Sequence, residues 1–444
     1  MMRITLLIAA NAALVSLTPA QRVAEEITAI KAGTVWIGNG KTLKNAVILI
    51  KDGRIEKVGQ GLEIPWNAKV LDAGKRWVMP AWVNAHTSGG MDQANENIQV
   101  TPYLTVLDSV DPSQAFFEAS RRYGVGTLHV VPGNACAVGG RGMVVRPAGK
   151  TPEQMALVLR AGMKMSLQPK RGSSRSRHIA EIMKAFEDAK AHRAEWERKK
   201  KEFDEDKKNG ATTKKEFEDK IDKLKQPLLD LLDRKTTAYL YIPRASDVPA
   251  ALELVKTYRL SAVFVLGGDC YKAIDLLTAA HRQAIPLILG ETLEITDKDP
   301  VTEEEKIVCP ARILYDAGIP FALTATGSGG RGSRGRGASG GTHPAMAMPW
   351  WQVATCVRHG VPERAALEAF TTIPARILGL TKRVGQISEG LDANLQVLSA
   401  APMEPECQVE NLVVDGILIY DRKRDPRVSE LTGQTTTGAS KEQK

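Results

Sequence analysis

Aromatic side chains are scarce in this 444-residue chain, at 5% of residues, and they do not gather beside the basic ones. Proteins that grip nucleic acid set rings among their cations, so a net charge of +9 spread in this way points to no nucleic-acid partner. Cysteine is scarcer still. The five thiols, Cys136, Cys270, Cys309, Cys356 and Cys407, lie far apart with no C-x-x-C spacing. That excludes a zinc knuckle, leaves at least one thiol unpaired within the chain, and reads as small buried side chains. No G-x-S-x-G phrase offers a serine nucleophile. Beyond the N-terminus no run is apolar enough to cross a bilayer.

The first residues are different. Arg3 precedes an apolar run from Ile4 to Leu17 and the small-residue sequence Thr18-Pro19-Ala20. This reads as a secretory leader over residues 1–20, and so as an exported protein, periplasmic or extracellular. With 43% hydrophobic and 25% charged residues the chain as a whole has the composition of a soluble globular protein. Its length calls for two domains or one large barrel with an appendage.

Both ends are rich in short strands. Thr34–Ile37, Ala46–Ile50 and Arg54–Val58 are separated by Gly38-Asn39-Gly40 and Lys51-Asp52-Gly53. Asn394–Leu398, Asn411–Val414 and Ile417–Tyr420 repeat the texture, with Asp415-Gly416 as a turn. Residues 21–79 and 385–425 are therefore expected to form one small β domain, a sandwich built by both chain ends. Between them, apolar strands such as Gly126–Val131, Thr237–Ile242, Ser261–Leu266, Pro286–Leu289 and Pro320–Thr324 alternate with helical segments. That alternation predicts a parallel α/β fold, a (β/α)8 barrel over residues 80–384. Two insertions interrupt it. Residues 184–225 hold fourteen Lys or Arg against twelve Asp or Glu, which predicts a solvated helical hairpin turning near Asn209-Gly210. Residues 327–341 hold eight glycines and three arginines and cannot pack a core. Residues 426–444 read as a disordered tail.

The phrase Trp77-Val-Met-Pro-Ala-Trp-Val-Asn-Ala-His86 resembles the first barrel strand of the amidohydrolase superfamily, which continues to a second histidine two residues on. Val100–Leu104, Val131–Asn134, Gly139-Gly140, Met163–Leu167, Thr372–Gly379 and Val384–Gly390 extend the resemblance, toward its imidazolonepropionase-like branch. The resemblance implies a hydrolase of carbon–nitrogen bonds using one or two divalent metals such as zinc at the C-terminal ends of the strands.

Those metal-holding positions are altered here. Ser88 stands in place of the second histidine, and Tyr241 and Pro243 replace the histidines of a middle strand. Gly267 stands where the next histidine belongs, and Thr326 where the last strand carries aspartate. A catalytic zinc takes three protein ligands plus water, and only His86 remains at a matched position. Bound metal lowers the pKa of water from about 15.7 to about 7, roughly 12 kcal/mol of ionisation free energy. No metal or other cofactor is therefore expected, and the chain reads as a pseudoenzyme, a binding or regulatory subunit for a small molecule. It would associate into an oligomer, with an intact paralogue as one partner.

The alternative is an active amidohydrolase that cleaves non-peptide carbon–nitrogen bonds of small cyclic amides with ligands from other positions: His86, His129, His343 and Asp269. A metal-free pair of His129 and Asp269 is a third route, and a satisfied interior role for His129 stays open beside it. Lys164 lies in a family-like segment without co-ligands and is not read as a ligand. His178, His192, His281 and His359 fall in helical segments and are expected at the surface.

Overall fold

The computed structural model describes residues 26–210, 214, 216–299, 301–325 and 348–432. The leader, the glycine-arginine loop, Thr326, His343 and residues 433–444 lie outside the described residues.

Alternating burial builds the terminal sheet. In the strand Ile27–Trp36, Ile30 and Val35 point into a cluster with Ile48, Ile50, Val78, Leu395, Val397 and Val413. Strands from both ends of the chain share one eight-stranded sheet. Its order runs Ile417–Asp421, Val409–Val414, Leu395–Leu398, Trp77–Pro80, Ile27–Trp36, Thr42–Lys51 and Arg54–Gln60, with Lys69–Asp72 also paired to Ile27–Trp36. The sequence led us to expect a sandwich; the hydrogen bonds form one continuous sheet. Two Asp-Gly turns set its hairpins. Asp52 and Gly53 have φ of 49° and 78°, Asp415 and Gly416 of 49° and 77°, the double positive φ of a type I′ turn. The two turns touch: a Cβ on Gly53 would meet the Asp415 carbonyl oxygen at 2.7 Å.

The middle of the chain is a mixed α/β structure of barrel type. Strand Trp82–Thr87 runs parallel to Val125–Val130. Met163–Ser166, Ala238–Ile242, Ala262–Leu266, Leu287–Leu289 and Phe321–Ala322 form a second parallel succession, with helices Val248–Tyr258, Ile274–Arg282 and Pro310–Asp316 between strands. Strand period two divides the side chains between two faces. Phe264, Leu266, Leu287, Leu289 and Phe321 join the main core. Tyr239, Val263, Val265, Ile288 and Ala322 form an inner cluster that also takes in Ala85 of the first strand. First and last strands thus meet across the interior. Backbone ladders do not close the ring among the described residues; Asn84 spans the seam, donating from Nδ2 to the Ala325 carbonyl at 2.8 Å.

Helix Arg175–Lys208 runs for 34 residues, roughly 50 Å at about 1.5 Å per residue. It ends at Asn209-Gly210 as the sequence suggested, but residues 216–225 return as irregular chain rather than a second helix, with Phe217 against Trp196 and Phe203. Residues Pro426–Thr432, placed in the tail by the sequence reading, form a short exposed helix. All five cysteines are free, four of them buried. No helix among the described residues is long and apolar enough to cross a membrane.

Candidate functional site

The C-terminal ends of the parallel strands open on a cavity of about 170 Å³. Its polar lining includes His86, Asn134, Tyr241, Glu291, Thr292 and Thr324, and Val265, Leu266, Leu277, Leu289 and Leu314 supply apolar walls. Strand ends are where this architecture exposes side chains to a ligand, because the loops there vary without disturbing the core.

A bulge aims His86. Asn84 pairs with Leu128 and Thr87 with Val130, so Ala85 and His86 together face the single residue His129. His129 Nδ1 lies 2.9 Å from the Ala85 carbonyl oxygen and donates to it, satisfying a backbone acceptor inside the bulge. His129 is fully buried, its ring edge-on to Tyr239 at 4.4 Å, and burial lowers its pKa to about 4. Its Nε2 is buried without a partner. The His129–Asp269 pairing read from sequence does not form: Asp269 turns away and accepts from the Ala245 backbone N–H at 2.9 Å.

Lys164 meets His86 instead. It lies on the inner face of Met163–Ser166, in register with Tyr239, and is wholly buried. Its Nζ is 2.7 Å from His86 Nε2 and 5.4 Å from the centre of the Tyr241 ring. Burial lowers the Lys164 amine to about 7. Burial first, then the neighbouring Lys164 and His129, hold His86 well below the usual imidazole value. His86 is therefore a neutral acceptor, and Lys164 donates to it.

This arrangement bears on the divalent metal that the resemblance implies. The one retained histidine has its lone pair engaged by an amine, and among the described residues no three His, Cys, Asp or Glu side chains gather as a cation cage. Ser88 and Gly267 offer no imidazole, and Asp269 accepts from the Ala245 backbone N–H. The described residues do not fit a catalytic zinc, which takes three protein ligands.

Glu291 was missed in the sequence. It follows the strand Leu287–Leu289 at Leu289-Gly290-Glu291, and an acid just beyond a fully buried strand was the available signal. Gln352 Nε2 donates to its backbone carbonyl at 2.8 Å, holding the residue at the rim. Burial raises its carboxyl to about 7, the range useful for moving protons at neutral pH. Burial, with Cys270 and Glu291 nearby, pushes Tyr241 up to about 12, so its hydroxyl stays a donor. Pro243 packs its backbone against Gly267, where a Cβ would meet the Pro243 carbonyl oxygen at 2.6 Å. Of the other histidines, His178 corrects the surface reading: it is fully buried, its Nε2 2.8 Å from the Ser166 carbonyl oxygen.

Residues 239–419 match the Amidohydrolase family model. The structure resembles the crystal structure of an amidohydrolase from Thermotoga maritima MSB8, with a TM-score of 0.73 and 26% identity over 89% of this chain and 100% of the other. An adenosine deaminase from Xanthomonas campestris with bound zinc shares the fold at a TM-score of 0.50 and 16% identity, over 89% of this chain and 93% of that one. Amidohydrolase tasK of Hapsidospora irregularis is 22% identical over 87% of this chain and 40% of its own length, so the chain spans about two fifths of that relative.

Proposed function

We propose that this protein, a member of the amidohydrolase superfamily, is a hydrolase that opens non-peptide carbon–nitrogen bonds of small cyclic amides or related compounds. The narrower imidazolonepropionase-like placement is part of the same proposal. The observation that carries it is Glu291: a carboxyl with a pKa near 7, in a strand-end cavity that also presents the Tyr241 hydroxyl. Hydrolysis of an amide needs a proton taken from water and one delivered to the leaving nitrogen. A group titrating near neutrality does both in turn. Tyr241 donates toward the carbonyl oxygen as negative charge grows there. The neutral His86, held by Lys164, fixes the floor of the cavity.

The test is ring opening by the full-length protein on a panel of five- and six-membered lactams, cyclic ureas and imides, followed by NMR. At least one ring should open, and Glu291→Gln should lower kcat/KM by about 10²–10⁴. A wild-type protein that opens none of them overturns the reading.

One observation favours a second reading. The engagement of His86 by Lys164, with Ser88 at the neighbouring position, supports a binding or regulatory subunit that has kept the cavity and lost turnover. It predicts ligand binding without ring opening.

A further inference from the structure

A second cavity, of about 220 Å³, lies beside the first and takes no part in the proposed chemistry. The loop after strand Val125–Val130 stands between them: Asn134 lines the strand-end cavity, and Pro132, Gly133 and Cys136 line the second. The facing wall is the connection from the first barrel strand to helix Ala115–Arg122, which contributes Asp92, Glu96 and Asp108. Among the described residues that line it there is no lysine, arginine or histidine. A cleft lined by charge of one sign focuses its field on an incoming ion of the other sign.

The three carboxylates differ in what they do. Asp92 is used within the wall: it accepts from the Ser109 hydroxyl and from the Gln93 N–H at 2.7 Å, and its own N–H donates to the Ser109 carbonyl at 2.9 Å. Those bonds tie the two limbs of the connection together. Asp108 ends the turn Val106–Asp108, which Thr105 caps by accepting from the Leu107 N–H at 3.3 Å. Glu96 and Asp108 are exposed and pair with no described cation. The nearby Lys170 donates instead to the Asn97 carbonyl at 2.8 Å.

Acidic groups at a rim are by themselves a solvated edge. Thr101 adds an independent feature within. It is only 3% exposed; its N–H donates to the Val138 carbonyl at 2.8 Å, and its carbonyl accepts from the Leu104 N–H at 3.1 Å. The backbone is thus fixed, while the hydroxyl has no partner among the described residues and is not sealed, keeping accessible surface in the cavity that Thr101 lines. Met91, Val106 and Pro132 supply apolar wall. An apolar cleft with a few fixed polar groups is the usual form of a small-molecule site. The acids do not suit a bare metal ion, since no three such side chains gather as a cage among the described residues. The size suits an aromatic amine: a cavity of about 150 Å³ accepts benzene, and this one is larger.

We infer that the second cavity binds a small organic cation, an ammonium on an apolar ring with a hydrogen-bonding group at its far end. The ammonium sits at Glu96 and Asp108, the ring lies on Met91 and Val106, and the far group meets the Thr101 hydroxyl. The site is separate from the strand-end cavity, so it does not depend on the hydrolase reading.

Titration calorimetry of the full-length protein tests it with tyramine, with tyrosol, in which a hydroxyl replaces the ammonium, and with phenethylamine, which lacks the phenol hydroxyl. Tyramine should bind at least about fivefold more tightly than tyrosol in dilute salt, and the ratio should fall as salt is raised to about 0.5 M. The double variant Glu96→Gln, Asp108→Asn should bring the two within about twofold. Thr101→Val should weaken tyramine about threefold or more and leave phenethylamine unchanged. Glu291→Gln, which alters only the strand-end cavity, should leave tyramine binding as it is. Thermal unfolding confirms that each variant is folded, and the salt dependence of the wild type carries the test if the double variant is not. Tyrosol binding as tightly as tyramine, a ratio unmoved by salt or by the double variant, or tyramine binding unchanged in Thr101→Val would each overturn the inference. So would binding lost in Glu291→Gln, or no saturable binding of tyramine up to about 10 mM.

Discussion

Replacing Lys164 with methionine removes the amine that engages His86 and keeps the length of the side chain. The structure fixes what this should do. In an unfolded chain the amine titrates near 10.5, and in the folded protein burial lowers it to about 7. Between those values the unfolded chain binds more protons, so the contribution of Lys164 to stability rises with pH across that window and is lost as pH falls to 7. The interval from 7 to 10.5, at about 1.36 kcal/mol for each step of one in pH, gives ~5 kcal/mol at the limit and ~4 kcal/mol at pH 7, where the folded amine is half protonated. Against this the methionine loses the hydrogen bond to His86, worth about 1 kcal/mol. Lys164→Met should therefore be about 3 kcal/mol more stable than wild type at pH 7, with the advantage gone near pH 10.5. Urea unfolding followed by tryptophan fluorescence at pH 7, 8.5 and 10 measures the difference, and the subtraction removes the titrating groups that do not feel Lys164. If the wild type is the more stable at pH 7 and the difference is flat to pH 10, the lysine is charged and paired, or carries an added carboxylate, and the reasoning is wrong.

Four other outcomes are expected. Glu291, raised from 4.5 to about 7, favours its protonated form, so its contribution is complete below pH 4.5 and declines as pH rises through 7. Glu291→Gln should thus gain about 2 kcal/mol over wild type at pH 8 and nothing at pH 4.5, allowing for the solvent that reaches a half-buried carboxyl; urea unfolding at both pH values checks the sign. His129→Leu removes the donor from the Ala85 carbonyl and should cost about 1–3 kcal/mol; a loss under about 0.5 kcal/mol would show that the bulge needs no such partner. Gly53→Ala forces a Cβ onto a positive φ and the Asp415 carbonyl, with an expected loss of about 2 kcal/mol by chemical denaturation; an unchanged midpoint would contradict the contact between the two turns. Elemental analysis of the purified protein should find less than about 0.1 equivalent of zinc, manganese or iron, and a stoichiometric ion bound through His86 would contradict the engagement of its lone pair by Lys164.

Much of the scaffold was legible in the chain itself. Period-two alternation and the Asp52-Gly53 and Asp415-Gly416 pairs are local properties, so the terminal strands and their tight turns could be read directly. Apolar strands spaced by helical segments gave the barrel-type middle for the same reason. The changed residues at the resembled strand ends, Ser88, Tyr241, Pro243 and Gly267, were equally plain in the sequence. The contacts made at those strand ends were not legible. Lys164 and His86 are 78 residues apart, and their contact depends on the register of Met163–Ser166 and on a bulge after Asn84. His129 looked chemical and proved to hold that bulge; Glu291 and Asn134 looked ordinary and share a cavity wall. Sequence determines which faces are apolar and where the backbone can turn, because both are properties of neighbouring residues. Which polar groups meet, and which amine is stripped of water, depends on how distant strands are set side by side, and only the tertiary structure decides that.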